Sequence, residues 1–287
     1  MERLVRTKIY ICGPEHIETE SFFAPSSVRR VRGERTGVKT DASKMERNKR
    51  ESLKLLRRLL KTNFYTGFDY YVVLTFNREN LPVDIDDTYT VCQRYFENLS
   101  DRCSRKGIIV KWLFVVEFGS RGRIHIHAFI NACVPIGEIR RGWRYGMVLI
   151  KNVPNDAEEI ELIASYTLKA PQGRHAWHRS RNLDMPTEET DDKLITPSLF
   201  VAMADGGFAI GDVESVMQRI FSGYVVVPGW SGYYSETMQS PYLAVSLQRR
   251  NWKKRSQFDY NNPYDISPEL LRRVDCDQRE LFMGETA

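Results

Sequence analysis

Two histidines one residue apart, His125 and His127, follow an acid, Glu117, in the run EFGSRGRIHIH. The residues around this run, WLFVV before Glu117 and AFI after His127, have the composition of β-strands. Side chains alternate along a strand, so His125 and His127 project to one face. Ile124, Ile126, Ala128 and Ile130 line the other. The glycines at 119 and 122 predict a hairpin turn, which sets Glu117 beside the histidine strand. Two imidazoles and a carboxylate suit a divalent ion such as Mn, Mg or Zn. The alternative is a pair of half-buried histidines hydrogen-bonded to their neighbours. An ion held this way would polarise an oxygen bonded to phosphorus or to carbon, and the triad alone does not choose between them.

A tyrosine helps with that choice. Asp156 to Lys169 reads as an amphipathic helix, with Ile160, Ile163, Ala164, Thr167 and Leu168 on one side and Pro171 ending it. Tyr166 lies away from the centre of the apolar stripe, and Lys169 follows one turn later on its face. A tyrosine hydroxyl, with a reference pKa of about 10, is a poor nucleophile near neutral pH. It becomes useful when its target is polarised and its line of attack is fixed. A tyrosyl–phosphate link is an activated ester that a 3′-hydroxyl can reverse, which suits nicking and rejoining. The alternative is a boundary tyrosine whose hydroxyl reaches water.

The elements that must position these groups are legible in outline. Ser43 to Lys61 predicts a helix with Leu53, Leu56, Leu59 and Leu60 on one face and basic residues on the other. Tyr70 to Phe76 predicts a central strand that ends in Thr75-Phe76-Asn77. A helix follows from about Asp84 to Arg102, with acids at its start and Val91, Tyr95, Phe96 and Leu99 as its buried face. Ile108–Phe118 and Arg123–Ile130 are the paired strands. Glu138–Tyr145 reads as a basic linker and Met147–Lys151 as a further strand. Asp184–Thr196 is acidic and loop-like. Residues 199–247 combine a short helix at Val213–Phe221 with strand-like pieces at Tyr224–Val227 and Tyr242–Leu247.

At 287 residues the chain can bury the core of one large domain or two small ones, and its 42% hydrophobic content is that of a globular protein. No apolar run approaches a membrane span and no secretory leader is visible, so a cytoplasmic protein without membrane partners is expected. The five cysteines are scattered and form no CxxC pair; Cys12 and His16 would make only half a zinc site. The net charge of +5 is mild but clustered. Ser43–Thr62 holds eight Lys/Arg against two Glu, and Arg249–Arg255 holds five basic residues in seven. Such clusters suit a polyanion, or are ordinary solvated helix faces. In the segment 172–183, His175, Trp177 and His178 alternate with Arg174, Arg179 and Arg181. That pattern offers stacking faces between cations for unpaired bases, or a loop anchored by Trp177.

Taken together, LTF-Asn77, His125-Ile126-His127 and Tyr166-Thr-Leu-Lys169 resemble, in order and spacing, the HUH-type rolling-circle replication initiators of small phages and plasmids. The third motif is similar to the Tyr-x-x-Lys of the single-tyrosine members. The helix ahead of the first strand and the run Ser180–Leu183 (SRNL) resemble the same branch. The resemblance covers residues 45–185.

The resemblance implies an α+β fold: a central five-stranded, mainly antiparallel sheet with flanking helices, of the RRM or palm type. It implies that His125, His127 and Glu117 bind a divalent ion, Mn or Mg, and that Tyr166 attacks the scissile phosphate of single-stranded origin DNA with Lys169 assisting. The enzyme would then carry a 5′-phosphotyrosyl link and leave a 3′-hydroxyl that primes synthesis. Thr75 and Asn77 would serve DNA recognition or architecture, and Arg121, Arg123, Arg174, Trp177, Arg179 and Arg181 would contact DNA. Position 170 is Ala, so this helix offers one tyrosine, and the chain has no GxxxxGK[ST] loop. A host helicase and polymerase are therefore expected partners. The expected domains are a flexible arm at 1–42, an endonuclease domain at 43–250 (motif core 66–183, accessory elements 199–250) and a tail at 251–287. A single-tyrosine transposase, a non-catalytic single-strand-binding module and a water-using metal hydrolase are the alternatives.

Overall fold

The computed structural model describes residues 4–24, 42–118, 123–153, 177–204, 210–228, 231–235 and 240–250. The chain divides into two compact units, Met1–Arg50 with Met185–Lys254 and Glu51–Asp184 with Arg255–Ala287. The sequence pointed instead to one domain over 43–250. The expected tail at 251–287 and the Asp156–Lys169 helix lie outside the described residues.

The second unit is built on a five-stranded sheet. Its strands are β3 (Tyr70–Thr75), β4 (Trp112–Phe118), β5 (Ile124–Ile130), β6 (Val148–Asn152) and β7 (Trp177–Arg179), in the order β6-β3-β5-β4-β7. Every pairing is antiparallel. With its helices this is the expected α+β fold on a five-stranded antiparallel sheet. The central strands are rich in Val, Ile, Leu and aromatics because both faces are covered. Helix α1 (Ala42–Asn63) lays Leu56, Leu59 and Leu60 against Tyr71, Leu113, Val115 and Phe129 on one face. Helix α2 (Ile85–Ser104) covers the other, where Phe96 stacks on Trp112 and Phe114 at ring separations of 5.0 Å each. Asp84 caps α2 by accepting from the backbone N–H of Asp87 at 2.8 Å, and Asp86 and Asp87 occupy its first turn.

One end of the sheet is closed by Asp69, which is fully buried. Its carboxylate accepts from the backbone N–H of Tyr65 and of Ala132, both at 2.7 Å, and its carbonyl accepts from Val153 N–H at 2.7 Å. One residue thus gathers the entry to β3 and the exits of β5 and β6. The run Ser180–Leu183 has a similar structural task. Ser180 exchanges backbone and side-chain hydrogen bonds with Trp112, Asn182 donates to Val110 O at 3.0 Å, and Leu183 joins the core under α1.

The expected linker at Glu138–Tyr145 is instead a helix in its first half, α3 (Ile136–Gly142). Seven residues with two arginines carry no periodicity to read. Tertiary contacts supply what the sequence lacks. Tyr95 Oη donates to Ile139 O at 2.8 Å, and Glu138 accepts from Lys106 Nζ at 2.7 Å and from Arg102 Nε at 3.3 Å.

The first unit holds a six-stranded sheet. Its strands are β1 (Val5–Cys12), β2 (His16–Phe23), β8 (Thr187–Asp191), β9 (Tyr224–Val226), β10 (Ser231–Ser235) and β11 (Ser240–Arg249). The order is β10-β11-β2-β1-β8, with β9 also paired to β11. Helices α4 (Pro197–Ala204) and α5 (Ile210–Ile220) bring Phe200, Met203, Val213 and Met217 into a core with Val5, Ile9, Ile17, Leu243 and Leu247. Two expectations are corrected here. The flexible arm expected over 1–42 is a β-hairpin from Val5 to Phe23, turning at Gly13 (φ 69°); residues 25–41 lie outside the described residues. The acidic loop expected at Asp184–Thr196 contains β8, an edge strand paired to β1. Lys8 meets Glu188 at 2.6 Å and Arg6 meets Asp192 at 2.8 Å there. In both cases the partner strand is distant in sequence, so no local pattern announces it.

Asp69→Ala should cost at least ~2 kcal/mol, because it leaves two buried N–H groups without an acceptor; urea unfolding followed by circular dichroism checks this. Glu138 gives a pH effect. Its hydrogen bond to Lys106, with a second from Arg102, holds its carboxyl below the ordinary range, against the opposing effect of burial. The stabilisation is therefore complete above the ordinary carboxylate pKa and is lost as pH falls through the lowered one. Glu138→Gln should flatten that acid limb in a series of melting curves.

Candidate metal centre

The β4–β5 register sets Glu117 opposite His125 and Val115 opposite His127. On the other side of β5, Thr75 faces His125 and Val73 faces His127. Strand alternation then gathers Glu117, His125, His127, Thr75, Tyr71 and Phe129 on one face. Ile126, Ala128 and Ile130 are fully buried on the opposite face, as the alternation in the sequence indicated. The histidine face is not open along its length. Phe129, Leu113 and Tyr71 lie in the core beneath α1, and the two imidazoles sit where that cover ends.

Both histidines turn toward one carboxylate oxygen. His127 Nε2 is 3.1 Å from Glu117 Oε2, and His125 Nδ1 is 4.0 Å from the same atom. The two rings differ in setting: the side chain of His127 is 7% exposed and that of His125 is 40% exposed. On its inner side, His127 Nδ1 lies 2.6 Å from Tyr71 Oη. Among the described residues, this triad is the group of His, Cys, Asp or Glu with the spacing to hold a metal ion, its ligand atoms all within 4.8 Å of one another. Cys12 and His16 face each other across the β1–β2 hairpin, both buried, and acquire no second half there.

The donor set fits a divalent cation. An ion about 2.1 Å from each ligand in octahedral geometry spaces adjacent donors about 3 Å apart. The His127–Glu117 pair already has that spacing. His125 must close by about 1 Å, and its exposed ring is free to turn toward the shared oxygen.

Thr75 and Asn77 have structural partners beside this site. Thr75 Oγ1 accepts from Met147 N–H at 3.2 Å, and Thr75 O accepts from Trp143 Nε1 at 3.0 Å. Gly146 lies so close that a Cβ there would meet Thr75 O at 2.1 Å. Asn77 caps a short 3-10 turn, Arg78–Asn80, accepting from Asn80 N–H at 3.0 Å. Arg123, immediately ahead of β5, and Arg181, after β7, are exposed. Arg179 is half-buried on β7 opposite Leu113. Trp177 donates from Nε1 to Ser52 Oγ at 3.0 Å and anchors β7 to α1, while His178 stacks on Phe114 on the far face. Tyr166, Lys169, Arg121, Arg174 and His175 lie outside the described residues.

Sequence reasoning missed Tyr71. Its signal was a phenol within a nearly apolar strand, where the hydroxyl needs a partner. Only the β3–β5 register reveals that the partner is His127.

The two histidines should respond differently to truncation. His127→Ala should destabilise the protein by about 1–3 kcal/mol, since it strips partners from a buried phenol and a largely buried carboxylate. His125→Ala should shift stability by less than about 0.5 kcal/mol, as expected for a half-exposed side chain. Thermal melts of the metal-free proteins check both.

Residues 69–171 match the family model for replication-associated proteins of the ORF2 type. No curated protein and no solved structure matches the chain. The matched segment runs from β3 through β6 and includes all three candidate ligands. Across that segment the chain is a Rep-type protein, of a family of rolling-circle replication initiators.

Proposed function

We propose that this protein is a metal-dependent, sequence-specific endonuclease that nicks and rejoins single-stranded DNA to initiate rolling-circle replication. The observation that carries the reading is the convergence of Glu117, His125 and His127 on one oxygen, inside the segment that matches the initiator family. The family match also supports DNA as the partner. Two nitrogens and one oxygen leave room for phosphate oxygens in the remaining positions around Mn or Mg. When bound, the ion supplies Lewis-acid polarisation of the scissile phosphate.

Tyr166 is the nucleophile in this reading. Its phenol gives up a proton and its oxygen bonds to phosphorus. The P–O3′ bond breaks, and the departing 3′ oxygen takes up a proton. The products are a 5′-phosphotyrosyl enzyme and a free 3′-hydroxyl for a host polymerase, and attack by a 3′-hydroxyl reverses the step. Lys169 offsets charge at the phosphate, and the exposed Arg123 and Arg181 follow the backbone, with Arg121 and Arg174 in the same role. Thr75 and Asn77 shape the floor beside the cation site through the backbone contacts they hold. Host helicase supplies unwinding, and the reaction takes place in the host cytoplasm.

A single-stranded oligonucleotide bearing the origin, incubated with Mn or Mg, should give a covalent species that survives denaturing electrophoresis, and Tyr166→Phe should abolish it. Cleavage by Tyr166→Phe at the wild-type rate would identify a water-using hydrolase instead. Binding without any adduct would identify a non-catalytic module.

A further inference from the structure

Resting on the metal reading just given, we infer that Tyr71 is a positioning residue that sets the tautomer and the aim of His127 for the cation. Tyr71 Oη sits 2.6 Å from His127 Nδ1, and the two rings are nearly parallel, 11° apart, with centroids separated by 6.1 Å. Near-parallel rings joined through Oη and a ring nitrogen lie side by side, where the in-plane lone pair or N–H of an imidazole can be used. Tyr71 is itself fixed: it is buried in the core under α1 and packs on Phe129 at 5.4 Å. The leucines of α1 therefore hold the phenol, and the phenol holds the imidazole.

The proton inventory gives this contact its role. A neutral imidazole carries one N–H and one lone pair. In the metal-free protein, Nε2–H donates to Glu117 Oε2 at 3.1 Å, which leaves Nδ1 to accept from the Tyr71 hydroxyl. A cation on Nε2 requires the lone pair there, so the ring proton must reside on Nδ1 and find an acceptor. A phenol serves in both states, because it donates or accepts by turning one O–H bond. The proton lost from Nε2 is regained on Nδ1, and no heavy atom of Tyr71 need move. His125 needs no such partner from the protein: its half-exposed ring reaches water.

The test compares Tyr71→Phe with Tyr70→Phe, which removes a hydroxyl from the adjacent position on the opposite face of β3. Mn affinity is measured by calorimetric titration, and affinity for a mixed-sequence single-stranded oligonucleotide is measured in EDTA. Tyr71→Phe should weaken Mn binding about 10–100-fold and leave metal-free DNA binding unchanged, while Tyr70→Phe matches wild type in both. Should Tyr71→Phe fail to fold, the nitrogen NMR spectrum of Mg-loaded wild type decides: the His127 proton should sit on Nδ1, bonded to Tyr71. Wild-type Mn affinity in folded Tyr71→Phe, or a proton that stays on Nε2 in the Mg-loaded protein, overturns the role of Tyr71 and leaves the triad standing. Wild-type protein that binds no Mn, or binds it equally well after His127→Ala, overturns the triad reading itself.

Discussion

The register between β4 and β5 is the constraint on which the candidate site depends. Because Glu117 lies opposite His125, its carboxylate reaches both imidazoles from a single position. A slip of one residue would send Glu117 to the opposite face of the sheet, against Phe96 and Phe114. The apolar pattern guards against that slip. Ile126, Ala128 and Ile130 are buried on one face, and Leu113, Val115 and Phe129 on the other, so either displacement exposes apolar groups and buries charge. At about 25 cal/mol per Å² of apolar surface, each misplaced Ile or Phe costs on the order of 2 kcal/mol.

The sheet is finished differently at its two ends. At the end held by Asp69, every group is buried and hydrogen-bonded, and that end is architectural. At the other end the cover of α1 stops, and the half-exposed His125 and Thr75 mark the opening. The first motif belongs to that second end. Thr75 is gripped by Trp143, Gly146 and Met147, and Asn77 turns the chain away. Its residues shape the rim of the site through the backbone, which explains how small polar side chains matter there without touching the cation ligands.

The sequence made local features legible and left non-local ones hidden. The triad, its alternation and its hairpin could be read because all three residues fall within eleven positions of one strand pair. Helices α1 and α2 carried apolar stripes of the right period, and Asp84 announced its cap. What escaped depended on partners far along the chain. The hairpin Val5–Phe23 gains its sheet from β8 and β11, more than 160 residues away. The acidic β8 is a strand because Lys8 and Arg6 face it. Helix α3 is anchored by Tyr95, Arg102 and Lys106 from α2. Tyr71 escaped for the same reason: a tyrosine in YYVVLT looks like core until the register shows what its hydroxyl meets.

The central claim is that one cation sits among three named atoms. Anomalous diffraction from crystals soaked in Mn tests it most directly. The account requires a peak about 2.2 Å from His127 Nε2, His125 Nδ1 and a Glu117 carboxylate oxygen together. A map with no peak at these atoms, while Mn occupies other sites on the molecule, would contradict it.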